Sequence, residues 1–472
     1  MTGARGPALP DEALVADIVA VAAGPAALEA FEEAGRSCRW CAEPVRLTGR
    51  SVTVDQTTGE VLEFFSTDKL RRHELYKACG TRRATRCPSC AAVYKGDARA
   101  LVVAGLVGGK GVPESVADHP MVFATLTAPS FGAVHRRPSP GGPCQASGPR
   151  SCGHGRALFC LVHHSEDDPL IGEALCPECY DFGSAVLFNA SVSELWRRTV
   201  IYTRRHLARL VGVPAKALSG AVRLSYVKVA ELQRRGAVHL HVVLRLDATG
   251  EGALPAGLDA GLLAIALRLG AGQVRVPLPG GRGPATWGEQ LDCRVITQDA
   301  PEGTRRVANY LAKYSTKGSD GSGALDRRLR GVGDLERRAL PPQLHRLAEA
   351  AWRLGGEEAL SHLRLRSWAH TLGLRSHFLT KSRGFSTTFK ALRAARQAHQ
   401  RSEHLRRAGI EAPHGAGQVV VLGEWAFAGR GWTRRAEAFL AASEGRRAAD
   451  ARRLAAEARL LVWHGAFQGA GP

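Results

Sequence analysis

Three Cys-x-x-Cys pairs constrain the local folding of this chain more than any other sequence feature. They lie at Cys38–Cys41, Cys87–Cys90 and Cys176–Cys179. A Cys-x-x-Cys turn directs two thiolates toward one point, and two such turns together complete the tetrahedral site that structural zinc requires. The pairs therefore predict turns held by metal, and the alternative is a set of unconnected buried cysteines.

The first two pairs flank a segment with a hairpin pattern. Residues 51–66 (SVTVDQTTGEVLEFFS) have the composition of two β-strands, with Thr58-Gly59 at the turn. Two Cys-x-x-Cys turns around a hairpin resemble a zinc ribbon, although their separation is longer than usual. The predicted ligands of this zinc are Cys38, Cys41, Cys87 and Cys90, with Cys79 as a substitute.

A second group of ligands surrounds the third pair. Seven Cys and His side chains lie within the 28 residues from Cys152 to Cys179, which is more than one zinc ion needs. No general base is evident nearby, so we expect a structural metal, and the alternative is scattered buried or surface side chains. The predicted ligands are Cys152, Cys160, Cys176 and Cys179, with His154 and His164 as rivals. Cys144 and Cys293 have no partner at metal spacing and are expected to be ordinary buried thiols.

The charge balance predicts a polyanionic partner. The 472 residues include 64 Lys and Arg against 44 Asp and Glu, a formal net charge of +20. Nucleic acid is the polyanion that such a surface most often binds, and a merely solvated basic surface is the alternative. No signal peptide is evident and no apolar run approaches the ~18–20 residues of a membrane span. We therefore expect a cytoplasmic protein with no membrane partner, whose reduced cysteines bind metal rather than form disulfides.

Hydrophobic periodicity predicts an α+β fold. Strands are expected over Met121–Ala128, Ala221–Ala230, Ala237–Leu246 and Leu291–Gln298, the middle two as an antiparallel hairpin. Helices are expected over Val192–Leu210, Leu258–Leu269 and Glu302–Lys317, and in the Arg- and Ala-rich C-terminal part over 340–366, 386–408 and 432–461.

Two motifs together predict phosphoryl-transfer chemistry. His239 and His241 are two apart in a predicted strand, so both imidazoles project from one face and can bind one cation. By itself this pair is as well explained by two surface histidines. The stretch NYLAKYSTK (309–317) places two tyrosines and two lysines along one stripe of a helix. An aromatic packing stripe is the alternative, but lysines are rarely buried without partners. An ammonium group favours the reactive phenolate, and a divalent cation can polarise a phosphate.

The order of three motifs resembles a known family. FATLTAP (123–129), HLH (239–241) and YLAKYSTK (310–317) follow the order found in rolling-circle replication initiators of the HUH endonuclease superfamily, two-tyrosine type. Over roughly residues 36–460 the chain further resembles the RepSA-like replication initiators of actinobacterial plasmids and integrative elements. The matching stretches include GGKGVP (108–113), LCPECYDF (175–182), ELWRRT (194–199), RRGAVHLH (234–241) and SHFLTKSRGFSTTF (376–389).

The resemblance implies metal-dependent, site-specific nicking of single-stranded origin DNA through a covalent 5′-phosphotyrosine, followed by strand transfer or rejoining. His239 and His241 would hold Mg²⁺ or Mn²⁺, with Glu231 as the candidate third ligand and Gln233 as the second choice. Origin DNA, single-stranded and duplex, would be the partner, together with a bacterial host helicase and DNA polymerase.

The family resemblance implies a separate role for each of the two tyrosines. Tyr310 would attack the DNA phosphate, and Tyr314 would perform the second strand transfer that ends a replication round. Lys313 and Lys317 would bind phosphate or stabilise charge. Which tyrosine cuts first stays open.

Four consecutive segments are expected. Residues 1–36 form an N-terminal extension and 37–115 a zinc-ribbon-like module. Residues 116–320 would form the HUH nuclease domain, an antiparallel sheet flanked by helices, with a cysteine-rich insertion at about 140–185. Residues 321–472 form a mainly helical, basic region for DNA binding or an accessory role. In that region Lys390, Arg393 and Arg396 are candidate DNA contacts, and a solvated face is the alternative.

Two other functions compete with replication initiation. A conjugative relaxase or single-strand transposase would share the superfamily, but relaxases usually carry three histidines and an N-terminal tyrosine, whereas these tyrosines follow the histidines. A non-enzymatic, zinc-stabilised DNA-binding protein would explain the charge and the cysteines. It would leave NYLAKYSTK without a role.

Overall fold

The computed structural model describes residues 11–138, 141–250, 252–296, 307–311, 327–407, 409 and 419–468, with side chains as far as 455. The chain divides into two compact units. One unit comprises Ala98–Thr387, and the other combines the described residues up to Asp97 with those from Thr388 onward. Segments from both ends of the chain thus meet in one unit. The predicted boundaries at 36, 115 and 320 stay predictions.

The described strands are β1 (Val45–Asp55), β2 (Val61–Ser66), β3 (Leu75–Lys77), β4 (Met121–Leu126), β5 (Val222–Leu232), β6 (Val238–Ala248), β7 (Leu291–Val295), β8 (Leu379–Lys381) and β9 (Val419–Arg430). The described helices are α1 (Glu12–Ala23), α2 (Pro25–Ser37), α3 (Pro88–Val107), α4 (Phe182–Leu210), α5 (Ala215–Ala221), α6 (Ala260–Gln273), α7 (307–311), α8 (Val332–Glu336), α9 (Pro342–Leu354), α10 (Leu365–Trp368), α11 (Phe389–Arg407) and α12 (Arg435–Gln468). The predicted mixture of helices with antiparallel sheets is confirmed.

A five-stranded antiparallel sheet organises the unit Ala98–Thr387. Its strand order is β7-β4-β6-β5-β8, so β6 lies at the centre. β5 and β6 form the predicted hairpin and pair along their whole lengths. Alternate residues of β6, from Val238 to Leu246, are apolar, fully buried and part of one core with side chains of α4 and α6. Because side chains alternate along a strand, the residues between them project from the opposite face.

Helix α4 is longer than the sequence pattern predicted. It begins at Phe182 rather than Val192, because the Asp181 carboxylate accepts a hydrogen bond from the Ser184 amide at 2.8 Å and so caps the first turn. The predicted C-terminal helix 340–366 is interrupted. It divides into α9 and α10, with Gly355 and Gly356 following α9.

The turn between β5 and β6 is held by a buried side chain of α4. The Asn189 amide nitrogen donates to the carbonyls of Gly236 and Leu372 at 2.8 and 2.9 Å, and its oxygen accepts from the Val238 amide at 2.9 Å. Gly236 has φ +77°, and a β-carbon there would clash with Leu347. These contacts hold the turn that precedes His239 against α4.

Replacing Asn189 with alanine should lower the stability of this unit by roughly 2–4 kcal/mol, because three backbone groups lose a buried partner. Thermal unfolding followed by circular dichroism measures the effect. Ser193→Ala is the matched control on the exposed side of the same helix. An Asn189→Ala melting temperature equal to that of Ser193→Ala would contradict the role given to Asn189.

The second unit contains a separate sheet around β1. β2 and β3 pair with β1, and β9 pairs with it along its full length, from Val45 opposite Arg430 to Asp55 opposite Val419. The hairpin predicted at 51–66 is present. Strand β9 was not predicted within the mainly helical region, although α11 and α12 lie where helices were expected. The partner of β9 is more than 360 residues distant in sequence, and its side chains are mostly exposed, so no burial pattern marks it.

No single described helix is long and apolar enough to cross a membrane. The bent pair α1 and α2, at 96° to each other, passes this criterion of length and composition only when the two helices are combined.

Candidate active site

Three potential metal ligands meet on the face of the sheet opposite the apolar core. His239 and His241 project from β6, and Glu231 on β5 lies directly opposite His239 in the hairpin register. Directly opposite residues share one face of a sheet. Each of the three residues offers a ligand atom within 4.8 Å of the other two. The structure therefore brings the first-choice third ligand to the histidine pair.

His241 is held on both sides of its ring. Its Nε2 lies 3.2 Å from Glu231 Oε2, and its Nδ1 lies 3.2 Å from Thr125 Oγ1 on β4. The His241 side chain is only 1% exposed. Thr125 belongs to the FATLTAP motif, but no sequence pattern indicates that its hydroxyl contacts a histidine.

His239 has one nitrogen in an unusual position. Its Nδ1 lies 3.4 Å from the Gln233 amide nitrogen, while its Nε2 is buried and has no hydrogen-bond partner among the described residues. Burial, with smaller effects from His241 and Arg235, lowers the pKa of His239 to about 4. The imidazole is therefore neutral at neutral pH, which is the form that binds metal.

The donor set fits a divalent cation. Two imidazoles and one carboxylate converge, and an unpartnered buried nitrogen costs free energy that a bound cation would recover. Imidazole and carboxylate ligands are compatible with Mn²⁺, whereas Mg²⁺ prefers oxygen and would keep several waters.

Tyr310 lies beside this group. It belongs to α7, and its ring makes edge-on contacts with the rings of His241 and Phe123, at centroid distances of 5.1 and 5.5 Å. The residue is 38% exposed. Arg99 Nε on α3 donates to the neighbouring Asn309 side chain at 2.5 Å, which holds α7 to α3. Neither Phe123 nor Arg99 was singled out from the sequence. The predicted Lys313, Tyr314 and Lys317 lie outside the described residues.

Replacing Thr125 with valine should weaken Mn²⁺ binding by about 10- to 100-fold, the usual effect of losing a group that orients a ligand. If His241 binds through Nε2, its Nδ1 carries a proton and donates to Thr125. Isothermal titration with Mn²⁺ measures the change. Thr125→Ser retains the hydroxyl and should bind as the original chain does. Equal affinity in the serine and valine variants would refute the orienting role.

The first cysteine cluster has the dimensions of a zinc site. Sulphur atoms of Cys41, Cys79, Cys87 and Cys90 all lie within 4.8 Å of one another. The sulphurs of Cys87 and Cys90 are 3.8 and 3.7 Å from that of Cys41. A tetrahedron with Zn–S bonds of about 2.3 Å has edges of about 3.8 Å. Cys79, the substitute, takes the place predicted for Cys38, whose buried sulphur lies 3.6 Å from the Gly35 carbonyl.

The second cysteine cluster divides into two groups. Cys152, His154, Cys176 and Cys179 form one of them, with His154 Nδ1 at 3.3 Å from Cys179 Sγ and 3.7 Å from Cys176 Sγ. His154, the alternative ligand, thus belongs to this group, and the predicted Cys160 does not. Cys160 and His164 belong to the other group, together with His135 and Cys144. Cys144 is therefore not an isolated thiol, as the spacing had suggested, whereas Cys293 lies in none of the described groups.

The three candidate DNA contacts on α11 differ in their surroundings. Lys390 and Arg393 are exposed, and the Arg393 guanidinium lies 5.9 Å from the centre of the Phe389 ring. Arg396 forms an ion pair with Asp97 and is partly buried. Among the described residues, the Arg396 guanidinium is thus already paired with a carboxylate, whereas Lys390 and Arg393 are exposed.

The comparisons with known proteins point to one class, the replication initiators. A family model described as "Replication initiator protein, pSAM2" (RepSA) matches residues 27–446. The chain is also 40% identical over 437 residues to a replication initiator protein from Streptomyces ambofaciens, an alignment that covers 90% of this chain and 91% of that protein. The chain therefore belongs to the RepSA family of replication initiators, as its motifs predicted. No solved structure matches it.

Proposed function

We propose that this replication initiator nicks one strand of its origin DNA and becomes covalently joined to the new 5′ end through Tyr310. The observation that carries the proposal is the contact between the Tyr310 ring and His241, which itself converges with His239 and Glu231. A nucleophile next to three potential metal ligands is the arrangement that tyrosine-dependent phosphoryl transfer requires. The HUH architecture is part of this proposal.

The reaction exchanges one phosphodiester for another. The Tyr310 hydroxyl oxygen forms a bond to phosphorus while the bond from phosphorus to the 3′ oxygen breaks. The phenol proton passes to solvent, and the leaving 3′ oxygen takes up a proton to become the primer hydroxyl. A bound divalent ion, Mg²⁺ or Mn²⁺, would polarise the scissile phosphate. Glu231, His239 and His241 would hold that ion, and Thr125 would orient His241.

Several finer expectations belong to the same proposal. Tyr314 would carry out the second strand transfer, with Lys313 and Lys317 near the phosphate. Lys390 and Arg393 would contact the DNA backbone, while Arg396 would act through its ion pair with Asp97. The clusters around Cys41 and Cys176 would bind structural zinc. A host helicase and polymerase in the bacterial cytoplasm would continue replication from the primer.

A labelling experiment tests the central step. The full chain is incubated with Mn²⁺ or Mg²⁺ and with single-stranded fragments that tile both strands of the replicon encoding it. Each fragment is labelled at either its 5′ or its 3′ end. The proposal expects an adduct resistant to denaturation that contains the 3′ label and lacks the 5′ label.

The alternatives predict other results. An adduct that retains the 5′ label would mean attachment to a 3′ phosphate and would contradict the proposed chemistry. Retarded migration of native complexes without any covalent adduct would support a zinc-stabilised DNA-binding protein. A relaxase or transposase would form the adduct on fragments from a transfer origin or an element end, and not from the replication origin.

A further inference from the structure

A four-ligand cluster outside the proposed active site has no part in the chemistry described above. His135, Cys144, Cys160 and His164 offer nitrogen and sulphur atoms that all lie within 4.8 Å of one another. The residues come from three segments of the loop region between β4 and α4. The sequence spacing assigned Cys160 to the site around Cys176, and it gave no metal-binding role to His135 or Cys144.

The distances within this cluster match a tetrahedral site. Cys160 Sγ lies 3.7 Å from His164 Nε2, Cys144 Sγ lies 3.7 Å from His135 Nδ1, and the two histidine nitrogens are 3.2 Å apart. Zinc bonds of about 2.3 Å to sulphur and about 2.0–2.1 Å to nitrogen give edges of roughly 3.3–3.8 Å. The two imidazole rings are perpendicular, at 89°, so their nitrogens meet without the rings stacking.

Groups around the cluster orient the ligands. Asp168 Oδ2 lies 2.7 Å from His164 Nδ1, which leaves Nε2 of that ring directed at the cysteines. A carboxylate behind a histidine is the usual outer partner of a zinc ligand. The Arg136 amide donates to Cys144 Sγ at 3.2 Å, as expected if this sulphur carries negative charge.

Backbone pairing brings the ligands together. The Cys144 amide donates to the Val162 carbonyl at 2.9 Å, and Gln145 and Cys160 exchange two backbone hydrogen bonds. The His135 amide donates to the Glu173 carbonyl at 2.8 Å. The cluster thus joins three passes of a region that contains isolated β-bridges but no regular strand among its described residues.

We propose that His135, Cys144, Cys160 and His164 bind a structural zinc ion, separate from the site around Cys176. Two thiolates and two imidazoles are a donor set that zinc favours, and four protein ligands leave no open position for catalysis. The region then holds two zinc ions rather than one, and six of the seven Cys and His side chains between Cys152 and Cys179 belong to the two clusters. The inference stands independently of the nicking activity.

This zinc site supports the turn that precedes the histidine pair. The guanidinium of Arg234, in the turn between β5 and β6, donates to the carbonyls of Asp168 and Glu166 at 2.9 and 2.8 Å. Both acceptors lie in the segment immediately after His164. A metal that fixes this segment therefore also fixes an anchor of the β5–β6 turn.

Metal analysis of the purified full chain tests the proposal. The double variant Cys144→Ser/Cys160→Ser should contain one zinc ion fewer per chain than the original protein, as measured by mass spectrometry of bound metal. Cys293→Ser removes a buried thiol that lies outside every described cluster, and it should contain as much zinc as the original. Equal zinc content in the double variant and the Cys293 control overturns the proposal.

If the double variant does not fold, the substitution of one proposed ligand by another residue that can bind metal tests the site. His164→Cys keeps four ligands but adds a thiolate, so the cobalt-substituted protein should gain near-ultraviolet thiolate-to-cobalt absorbance. His163→Cys adds the same residue at the exposed neighbouring position and should not change this absorbance. Identical cobalt spectra for His164→Cys and His163→Cys overturn the proposal.

Discussion

Replacing Tyr310 with phenylalanine should abolish the first covalent adduct, lowering the cleavage rate by roughly a thousandfold or more, the scale seen when a nucleophile is removed. Phenylalanine keeps the ring contacts with Phe123 and His241 and removes only the hydroxyl group. Folding and DNA binding should therefore be unchanged. The measurement is the initial rate of adduct formation with a labelled single-stranded origin fragment.

Two variants complete the Tyr310 experiment. Tyr202→Phe removes a hydroxyl from α4 and should cleave normally. Tyr314→Phe should still form the first adduct and lose the second strand transfer. A normal first adduct in Tyr310→Phe, combined with its loss in Tyr314→Phe, would exchange the roles of the two tyrosines. Loss only in the double variant would show that either tyrosine can cut.

Replacing His239 with alanine should reduce cleavage by roughly 10²–10⁴-fold, because it removes one of three converging metal ligands. Mn²⁺ affinity, measured by electron paramagnetic resonance of free Mn²⁺, should fall in parallel. Binding to duplex origin DNA should be preserved. His377→Ala, at an exposed position in the same unit, is the control for loss of an imidazole. Retained cleavage in His239→Ala would remove this residue from the metal site.

Mn²⁺ binding distinguishes the cleavage defect of Tyr310→Phe from that of His239→Ala. Tyr310→Phe should bind Mn²⁺ as tightly as the original protein, because Tyr310 is not among the converging ligands. His239→Ala should lose Mn²⁺ and cleavage together. If Tyr310→Phe also lost Mn²⁺, its defect would reflect a disturbed site rather than a missing nucleophile.

A local pattern was sufficient to place the two histidines of the hairpin on one face. His239, His241 and Glu231 belong to one hairpin, where a short turn sets the register and period-two alternation sets the face. This alternation predicts that His239 and His241 share a face, whereas Glu231 lies one residue beyond the predicted strand Ala221–Ala230 and is indicated as a ligand by the family resemblance. Asp181 caps α4, which begins ten residues before the predicted start, so even a nearby helix boundary depends on one capping side chain.

Cysteine spacing was a weaker guide to the metal clusters. Cys-x-x-Cys spacing correctly paired Cys87 with Cys90 and Cys176 with Cys179 in space. Spacing offered Cys79 only as a substitute for Cys38, and it did not reveal that His135 would meet Cys160. Such ligands are brought together by loops whose closure depends on backbone pairing elsewhere, and no local pattern encodes it.

By itself, the sequence determined the family, the basic character, the antiparallel hairpin and the pairing of His239 with His241 on one strand. These follow from residue identity and from short periodicities, which act over one helix turn or one strand pair. Only the tertiary structure decided that Tyr310 contacts His241, that β9 pairs with β1, and that the cysteine-rich stretch forms two clusters. Each of these requires segments tens to hundreds of residues apart to pack together, and such packing depends on the whole fold rather than on any stretch of sequence.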